Sequence, residues 1–247
     1  ESFKVEVEAQ LDAMTKEDLI YRADTAATFR FKHGLTREVV YESVLIAERK
    51  LLHGRVAQVI EQMTGAEDNM QTAEALAYHY RGSGDLARAA QYAELAGDRA
   101  MTVSALDRAC DHYLVAMNAL DAMPVSTETR RKWLAISAKW GLPFVFSPVQ
   151  SDSKLQVLHM AARYADELGD VEGARDLLAK VYAVYSRTRL PSDLDLQRAR
   201  INLGTTLKRL GDVDAAVRLT REGHDALLAV LPTDHPDLIR AQYSLAT

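Results

Sequence analysis

Cysteine and long apolar runs are nearly absent from this sequence of 247 residues. The single cysteine, Cys110, excludes an internal disulfide and agrees with a reducing compartment. A run of roughly 18 apolar residues, which a transmembrane helix requires, does not occur, and no secretory signal is visible. The net charge of −5 gives the chain no general attraction to nucleic acid or to an anionic membrane. We therefore expect a cytoplasmic protein.

Motifs that carry catalysis or bind cofactors are also missing. The sequence has no Gly-x4-Gly-Lys-Ser/Thr phosphate loop, no His-Glu-x-x-His and no Cys-x-x-Cys. We expect His33 and His53 to pack or hydrogen-bond within the protein, and Cys110 to lie on a packed face where a thiol is inert. The sequence thus predicts no enzymatic activity for this chain, no metal site and no cofactor.

Glycine and proline are scarce, with 12 and 6 residues, and this scarcity favours helices. Some of the few glycines recur at a fixed interval. Leu168-Gly169-Asp170 returns 42 positions later as Leu210-Gly211-Asp212, and Ala174 returns as Ala216. A constant period with matching small residues predicts an array of helical repeats.

The recurring residues have a physical role in such an array. Small side chains such as Gly204 allow neighbouring helices to approach closely. The glycine of each Gly-Asp turn accepts the left-handed conformation that ends one helix, and the aspartate caps the next. Because one helix pair cannot bury its own apolar face, pairs stack on each other. The sequence therefore predicts an all-α fold, a right-handed α-α superhelix.

Residues 1–66 follow a different pattern. Helical spacing in residues 11–19 is followed by two short runs, 19–22 and 28–32, of which the second alternates as a strand does, so a β-hairpin is predicted. Two helices follow Gly34. Their apolar faces comprise Leu35, Val39 and Ile46 in the first and Leu52, Val56, Val59, Ile60 and Met63 in the second. This order of elements predicts a winged-helix-like segment.

The basic residues of this segment allow a second interpretation, a DNA-reading surface. They are Arg30, Lys32, Arg37, Arg49, Lys50 and Arg55. Four glutamates dilute this patch, so we favour a solvated or docking face and consider nucleic acid the weaker alternative.

The remaining chain divides into three parts. Residues 67–123 are predicted to form overlapping helical repeats. Residues 124–153 interrupt the repeat pattern. Residues 127–140 can be helical, whereas Gly141 to Pro148 is interpreted as an ordered apolar loop. That loop either packs on adjacent repeats, which we favour, or binds a partner. Residues 154–247 restore the 42-residue period and stop within a repeat. The helices predicted in the first part span 70–82, 86–102 and 105–123.

Two resemblances follow from these patterns. The repeats of residues 154–247 resemble tetratricopeptide repeats, and the Pro-Thr-Asp-His-Pro loop with its long second helix is similar to the kinesin-light-chain variety. Residues 29–62 resemble a segment that follows the ATPase module of large bacterial signalling ATPases. The matching residues are Phe29, Phe31, His33, Leu35, Tyr41, Glu42, Ser43, Leu45, Arg49, Leu52, His53, Val56 and Ala57. Gly34 departs from that pattern, which more often has alanine.

In the signalling ATPases an adenylate or guanylate cyclase domain often precedes the ATPase, and other members carry a DNA-binding domain or a kinase. The resemblance implies a regulatory protein-interaction module. Three hypotheses stay open: part of a cyclase–ATPase, the sensor part of a transcriptional regulator, or a free-standing repeat scaffold. Since the chain starts at Glu1 and stops at Thr247 within a repeat, we expect a fragment, whose uncapped last helix can join two copies as a homodimer.

The concave face is the remaining candidate site. The resemblance to tetratricopeptide repeats implies that a fixed set of first-helix positions, counted from Ala162, Gly204 and Ala246, points into a groove. The candidates for partner binding are Gln156, His159, Arg163, Arg198, Asn202, Thr205, Lys208, Arg209, Arg240 and Tyr243. The same count also gives Asp166, Glu167 and Ile201.

The candidates around Gly204 are basic, so they favour a peptide or loop that carries carboxylates. The resemblance further implies that Asn202 binds the backbone of that peptide. The alternatives are a solvated helix face or a face that meets the protein's own ATPase module.

Overall fold

A computed structural model describes residues 2–23, 28–63, 66–144 and 151–246, and in these ranges helices far outnumber strands. The elements are α1 (Ser2–Lys16), β1 (Ile20–Arg22), β2 (Phe29–Phe31), α2 (Gly34–Ser43), α3 (Ile46–Met63), α4 (Ala66–Ser83), α5 (Leu86–Thr102), α6 (Leu106–Asp121), α7 (Thr127–Phe144), α8 (Ser151–Glu167), α9 (Val171–Thr188), α10 (Leu194–Arg209), α11 (Val213–Leu228) and α12 (Pro236–Ala246). From α3 to α12 each helix packs on the next one in the chain, and α10 also contacts α12. The predicted all-α stack of helix pairs with a small N-terminal hairpin is confirmed. None of the helices in the described ranges has the length and apolar character needed to cross a membrane.

Three helix pairs in the described ranges are joined by turns that contain the same Gly-Asp pair. The glycines of the three turns have positive φ angles of 89°, 83° and 87° at Gly84, Gly169 and Gly211. Each following aspartate caps the next helix by accepting a hydrogen bond from a backbone N–H in its first turn. These bonds run to Asp85 from Arg88 (3.1 Å), to Asp170 from Gly173 (2.9 Å) and to Asp212 from Ala215 (3.2 Å). The predicted role of the Gly-Asp turns is therefore confirmed.

Small residues mark the closest contacts between helices, as the repeat pattern predicts. A Cβ atom on Gly204 of α10 would lie 2.4 Å from Thr220 Oγ1 and 3.1 Å from the backbone oxygen of Ala216 in α11. Ala174 and Ala216 themselves are buried. A larger side chain at these points would separate the helices or force strained rotamers.

The carboxylate of Asp121 links successive helices of the stack. Asp121 at the end of α6 accepts hydrogen bonds from Trp133 Nε1 of α7, at 3.1 Å, and from the Tyr164 hydroxyl of α8. The Arg130 guanidinium lies 3.7 Å from the centroid of the Tyr164 ring and 3.5 Å from Asp121 Oδ1.

Cys110 is 1% exposed, and burial raises the pKa of its thiol. The predicted packed position of Cys110 is confirmed.

The N-terminal elements are more loosely arranged than the stack. Strands β1 and β2 pair antiparallel, with Ile20 opposite Phe31, as the predicted hairpin requires. The two apolar helix faces predicted to follow are largely open: Leu35 of α2 is 73% exposed and Leu52 of α3 is 49% exposed. Ile46 was assigned to the first of these helices, which is wrong, because α2 ends at Ser43 and Ile46 opens α3. A winged-helix-like arrangement stays a prediction.

Two helix boundaries also differ from the sequence pattern. Helix α4 begins at Ala66 rather than at residue 70, and α7 continues through Gly141 to Phe144 instead of ending at Trp140. One glycine and one proline near the last turn are tolerated, because they remove little of the helix's hydrogen bonding. Residues 145–148 of the predicted apolar loop lie outside the described residues. The division of the chain into four parts, with boundaries after residues 66, 123 and 153, stays a prediction.

Candidate functional site

Two adjoining cavities lie between α8, α10 and α12, with part of α9 beneath them, and have volumes of about 470 and 570 Å³. His159, Met160, Asn202 and Arg240 line both cavities, so the two form one continuous depression. We call it the α8–α10–α12 groove. The first cavity is also lined by Ala162, Arg163, Asp166, Ala174, Leu178, Thr205, Thr206, Arg209 and Ser244. The second is also lined by Gln156, Tyr185, Arg189, Asp195 and Arg198.

Most of the ten residues predicted from the sequence to bind a partner lie along this groove. The eight that line a cavity are Gln156, His159, Arg163, Arg198, Asn202, Thr205, Arg209 and Arg240. Helix periodicity explains the result, because these positions recur on one face of α8, α10 and α12. Their role in binding stays a prediction.

Two of the ten candidates, Lys208 and Tyr243, line neither cavity, and neither do Glu167 and Ile201 from the wider count. Lys208 donates a hydrogen bond from Nζ to the backbone oxygen of Ser244, at 3.3 Å, and so joins α10 to α12. Tyr243 is 73% exposed. Ile201 is 3% exposed and packs with Leu227, so its predicted position in the groove is wrong. An aliphatic side chain on the border of the two faces is more stable in the core than in water.

Ion pairs within the protein use several of the groove's cations. Arg209 pairs with Asp166 across α10 and α8. Arg198 Nη2 lies 2.8 Å from Asp237 Oδ2 of α12. Such pairs leave these guanidinium groups less available to a bound carboxylate than their number in the sequence suggests.

Asn202 and Arg240 differ from these paired residues. Within the described part of the chain, the side chains of Asn202 and Arg240 have neither a hydrogen-bond partner nor an ion pair. Asn202 is half-buried on α10, and Arg240 is exposed on α12. Both residues stand where the two cavities meet. The groove therefore offers an amide with a donor and an acceptor and one uncommitted cation at its centre.

His159 lines both cavities and is a titratable group of the groove. Its ring centroid lies 6.0 Å from that of Tyr185. Burial lowers the pKa of His159, although the Asp195 carboxylate and a hydrogen bond with the Leu155 backbone act in the opposite direction. His159 is therefore neutral at neutral pH and adds no charge to the groove.

The sequence did not predict some of the residues that line the groove. Ala174, Leu178 and Tyr185 come from α9, the second helix of a pair, whereas the count of positions was applied to first helices alone. The spacing of Leu178, Val181 and Tyr185 along one buried face of α9 was the available signal. Together with Met160, Leu178 gives the first cavity an apolar floor.

Comparisons with known proteins agree with this architecture. No protein-family model matches the sequence, and no curated protein matches it. Among solved structures, the chain is similar to a putative kinesin light chain of Podosopora anserina with nearly identical TPR-like repeats, at 19% identity and a TM-score of 0.51, covering 74% of this chain and 86% of that one. A single-substitution variant of that protein matches over the same shares of both chains at 20% identity, with a TM-score of 0.51. At these identities the likeness shows the fold alone, and the described helices form a stack of tetratricopeptide-like repeats.

Proposed function

We propose that this chain is a non-catalytic protein-interaction module that binds an extended, acidic peptide segment in the α8–α10–α12 groove. The observation that carries the proposal is the position of Asn202 and Arg240, two uncommitted polar side chains at the junction of the two cavities. An extended peptide brings backbone donors and acceptors that must be paired when it loses water. The Asn202 amide can pair with both.

The charge of the groove supports an acidic ligand. Five arginines and two aspartates line it: Arg163, Arg189, Arg198, Arg209, Arg240, Asp166 and Asp195. Although several of these charges are already paired, the surplus is positive and attracts acidic segments over long range. A carboxylate that reaches Arg240 forms a charge-assisted hydrogen bond. The apolar floor around Leu178 offers a place for a neighbouring aliphatic side chain.

The wider context of the module is part of the same proposal. The resemblance of residues 29–62 to signalling ATPases supports a regulatory module of a larger cytoplasmic signalling protein, in which the acidic segment comes from a partner or from the protein's own ATPase module. The complete gene tests this part: cyclase and ATPase regions before residue 1 support it, and their absence contradicts it. A DNA-binding domain there would favour a transcriptional regulator instead.

Selection from a library of random displayed peptides tests the groove. We expect the chain to enrich peptides that contain aspartate or glutamate and to bind them in the micromolar range. Asn202→Ala should weaken a selected peptide about tenfold, since one unpaired buried backbone group costs about 1–3 kcal/mol. Arg221→Ala is the matched control, because Arg221 is exposed on α11 and lines neither cavity. Failure to enrich any peptide, or equal binding by Asn202→Ala, would contradict the proposal.

A further inference from the structure

Two histidines meet where the N-terminal segment joins the helical stack. His53 Nδ1 of α3 lies 3.0 Å from His79 Nδ1 of α4, with ring centroids 5.0 Å apart. The other nitrogen of His53, Nε2, lies 2.9 Å from the hydroxyl oxygen of Tyr41 in α2. A chain of hydrogen bonds therefore runs from α4 through His53 to α2, although the three residues are far apart in sequence.

Helix α2 has little else to hold it. It has no buried residue, and its apolar side chains Leu35 and Val39 are exposed. In the part of the chain that the structure describes, the polar contacts of α2 with the stack are Tyr41 with His53 and Glu42 with Arg49, at 3.0 Å. Arg49 also lies over the Tyr41 ring, 4.9 Å from its centroid. The position of α2 thus depends on the groups that surround His53.

His53 has no room to turn. A Cβ atom on Gly82 of α4 would lie 2.6 Å from His53 Cγ, so the ring fills the space that this glycine leaves. The edge of the Tyr78 ring closes a second side, with centroids 5.4 Å apart. His53 is 7% exposed, whereas His79 is half-buried.

The hydrogen bond between the two facing Nδ1 atoms forms only in certain protonation states of the rings. When both rings are neutral, or one is charged, one Nδ1 donates a proton to the other. When both rings are charged, each Nδ1 carries a proton and the bond cannot form. His53 Nε2 can still donate to Tyr41, so release of α2 follows from repulsion between the facing charges, which displaces the His53 ring that Tyr41 contacts. Arg49 adds a third positive charge beside Tyr41, and in the described chain Glu42 is the carboxylate that faces it.

We propose that His53 and His79 form a proton-sensitive latch, which holds α2 against the helical stack while at most one of the two rings is charged and releases α2 when both are charged. This device is independent of peptide binding in the α8–α10–α12 groove. Burial lowers the pKa of both rings, and the Arg49 charge lowers that of His53 further, as His53 does for His79. The latch is therefore closed at neutral pH and opens on acidification below the ordinary histidine value.

Hydrogen exchange of the α2 amides, expressed as protection factors to remove the intrinsic pH dependence, tests the latch. We expect protection to fall about tenfold or more between pH 7.5 and 5.5, since one pKa unit corresponds to a tenfold change in an equilibrium. Protection of α5 should stay constant and shows that the stack remains folded. Tyr41→Phe should remove the latch and lower α2 protection at both pH values. The control His159→Gln removes a histidine whose pKa is also lowered but which is distant from α2, and should keep the wild-type response.

Two outcomes would overturn the proposal. One is equal protection of α2 in the wild type at both pH values. The other is the same loss in a His53→Gln, His79→Gln double variant, whose neutral side chains cannot be charged. Should that variant fail to fold, His79→Gln takes its place: only one ring that can be charged remains, so the fall in α2 protection should be lost, and an unchanged fall excludes the pair.

Discussion

Arg198 and Asp237 connect two successive repeats. Arg198 Nη2 of α10 lies 2.8 Å from Asp237 Oδ2 of α12, and Arg198 Nε donates to the same oxygen at 2.9 Å. The Asp237 side chain is 9% exposed and that of Arg198 is 44% exposed. Arg198 is the nearer charge partner of Asp237, since His235 Nδ1 lies 3.7 Å from the same oxygen and accepts the Asp237 backbone N–H, while the arginine retains contact with water. The contact fixes the start of α12 on the groove.

Asp237→Asn should loosen α12. The substitution removes the charge-assisted bonds but keeps the size of the side chain, and because Arg198 can return to water we expect a loss of about 1–2 kcal/mol in the free energy of unfolding. Urea denaturation measures it, and hydrogen exchange should locate the loss in residues 237–246. Asp234→Asn is the control, since Asp234 is exposed in the loop that precedes α12. Equal stability of the two variants would contradict this account.

Alanine substitutions at two glycines distinguish the effect of close helix packing from that of helix propensity. A Cβ atom on Gly97 of α5 would lie 2.6 Å from the Tyr113 ring, which is buried and whose hydroxyl donates to Asp98 at 2.7 Å. Overpacking costs about 1–3 kcal/mol, and alanine regains about 1 kcal/mol of helix propensity. We expect Gly97→Ala to lose up to about 2 kcal/mol in the free energy of unfolding.

Gly54→Ala is the matched variant in α3. Its Cβ atom would lie 3.5 Å from Ser83 Cβ, which is an ordinary contact. This substitution should be neutral or should stabilise the protein by up to about 1 kcal/mol. Thermal unfolding of both variants provides the comparison, and a stabilised Gly97→Ala would show that α5 and α6 pack less closely than described.

Acid should weaken the contact of α3 with α4 and α5. The hydroxyls of Tyr80 and Tyr92 both donate to the Glu61 carboxylate, and Arg88 lies 3.7 Å from it. Burial raises the pKa of Glu61, but these hydrogen bonds and the charge outweigh burial and lower it below its ordinary value of 4.5. Because the folded state holds the ionised form, this stability is present above pH 4.5 and is lost as the pH falls through the lowered pKa.

Glu61→Gln tests that pH dependence. Wild-type unfolding free energies measured from pH 6 to pH 3 should fall with acid, and the variant should be less stable at pH 6 and show a smaller fall. Glu48→Gln, which changes an exposed carboxylate of the same helix, should follow the wild type. Identical pH profiles for wild type and Glu61→Gln would exclude the proposed role.

The sequence predicts the stack well because its signals are local. Gly211 and Asp212 define a turn by the conformation of one residue and the cap formed by the next, and neither depends on distant parts of the chain. The end of α7 was harder to place, because Gly141 and Pro143 weaken a helix without showing how many residues remain helical after them.

The candidate site was harder to predict than the fold, for a different reason. Helix periodicity places Arg209 and Arg240 on the correct faces, but it carries no information about which charges pair across repeats. Arg209 meets Asp166 from an earlier repeat, and Lys208 meets the backbone of Ser244. These partners depend on the stacking geometry, so the basic character read from the sequence overstates the charge that a ligand encounters.

Because Arg209 is paired with Asp166 whereas Arg240 has no ion pair in the described chain, the two arginines should contribute differently to ligand binding. For an acidic peptide selected as above, Arg240→Ala should weaken binding about tenfold, because a charge-assisted hydrogen bond is worth roughly 1.5–3 kcal/mol. Arg209→Ala should change it less than about threefold, since a half-exposed ion pair with Asp166 contributes little to the ligand. Arg240→Glu should reject the acidic peptide and accept one in which lysine replaces its acidic residue. Fluorescence anisotropy with labelled peptides measures all three. If Arg209→Ala instead caused the larger loss, the ligand would displace Asp166, and the centre of recognition would lie at that pair rather than at Arg240.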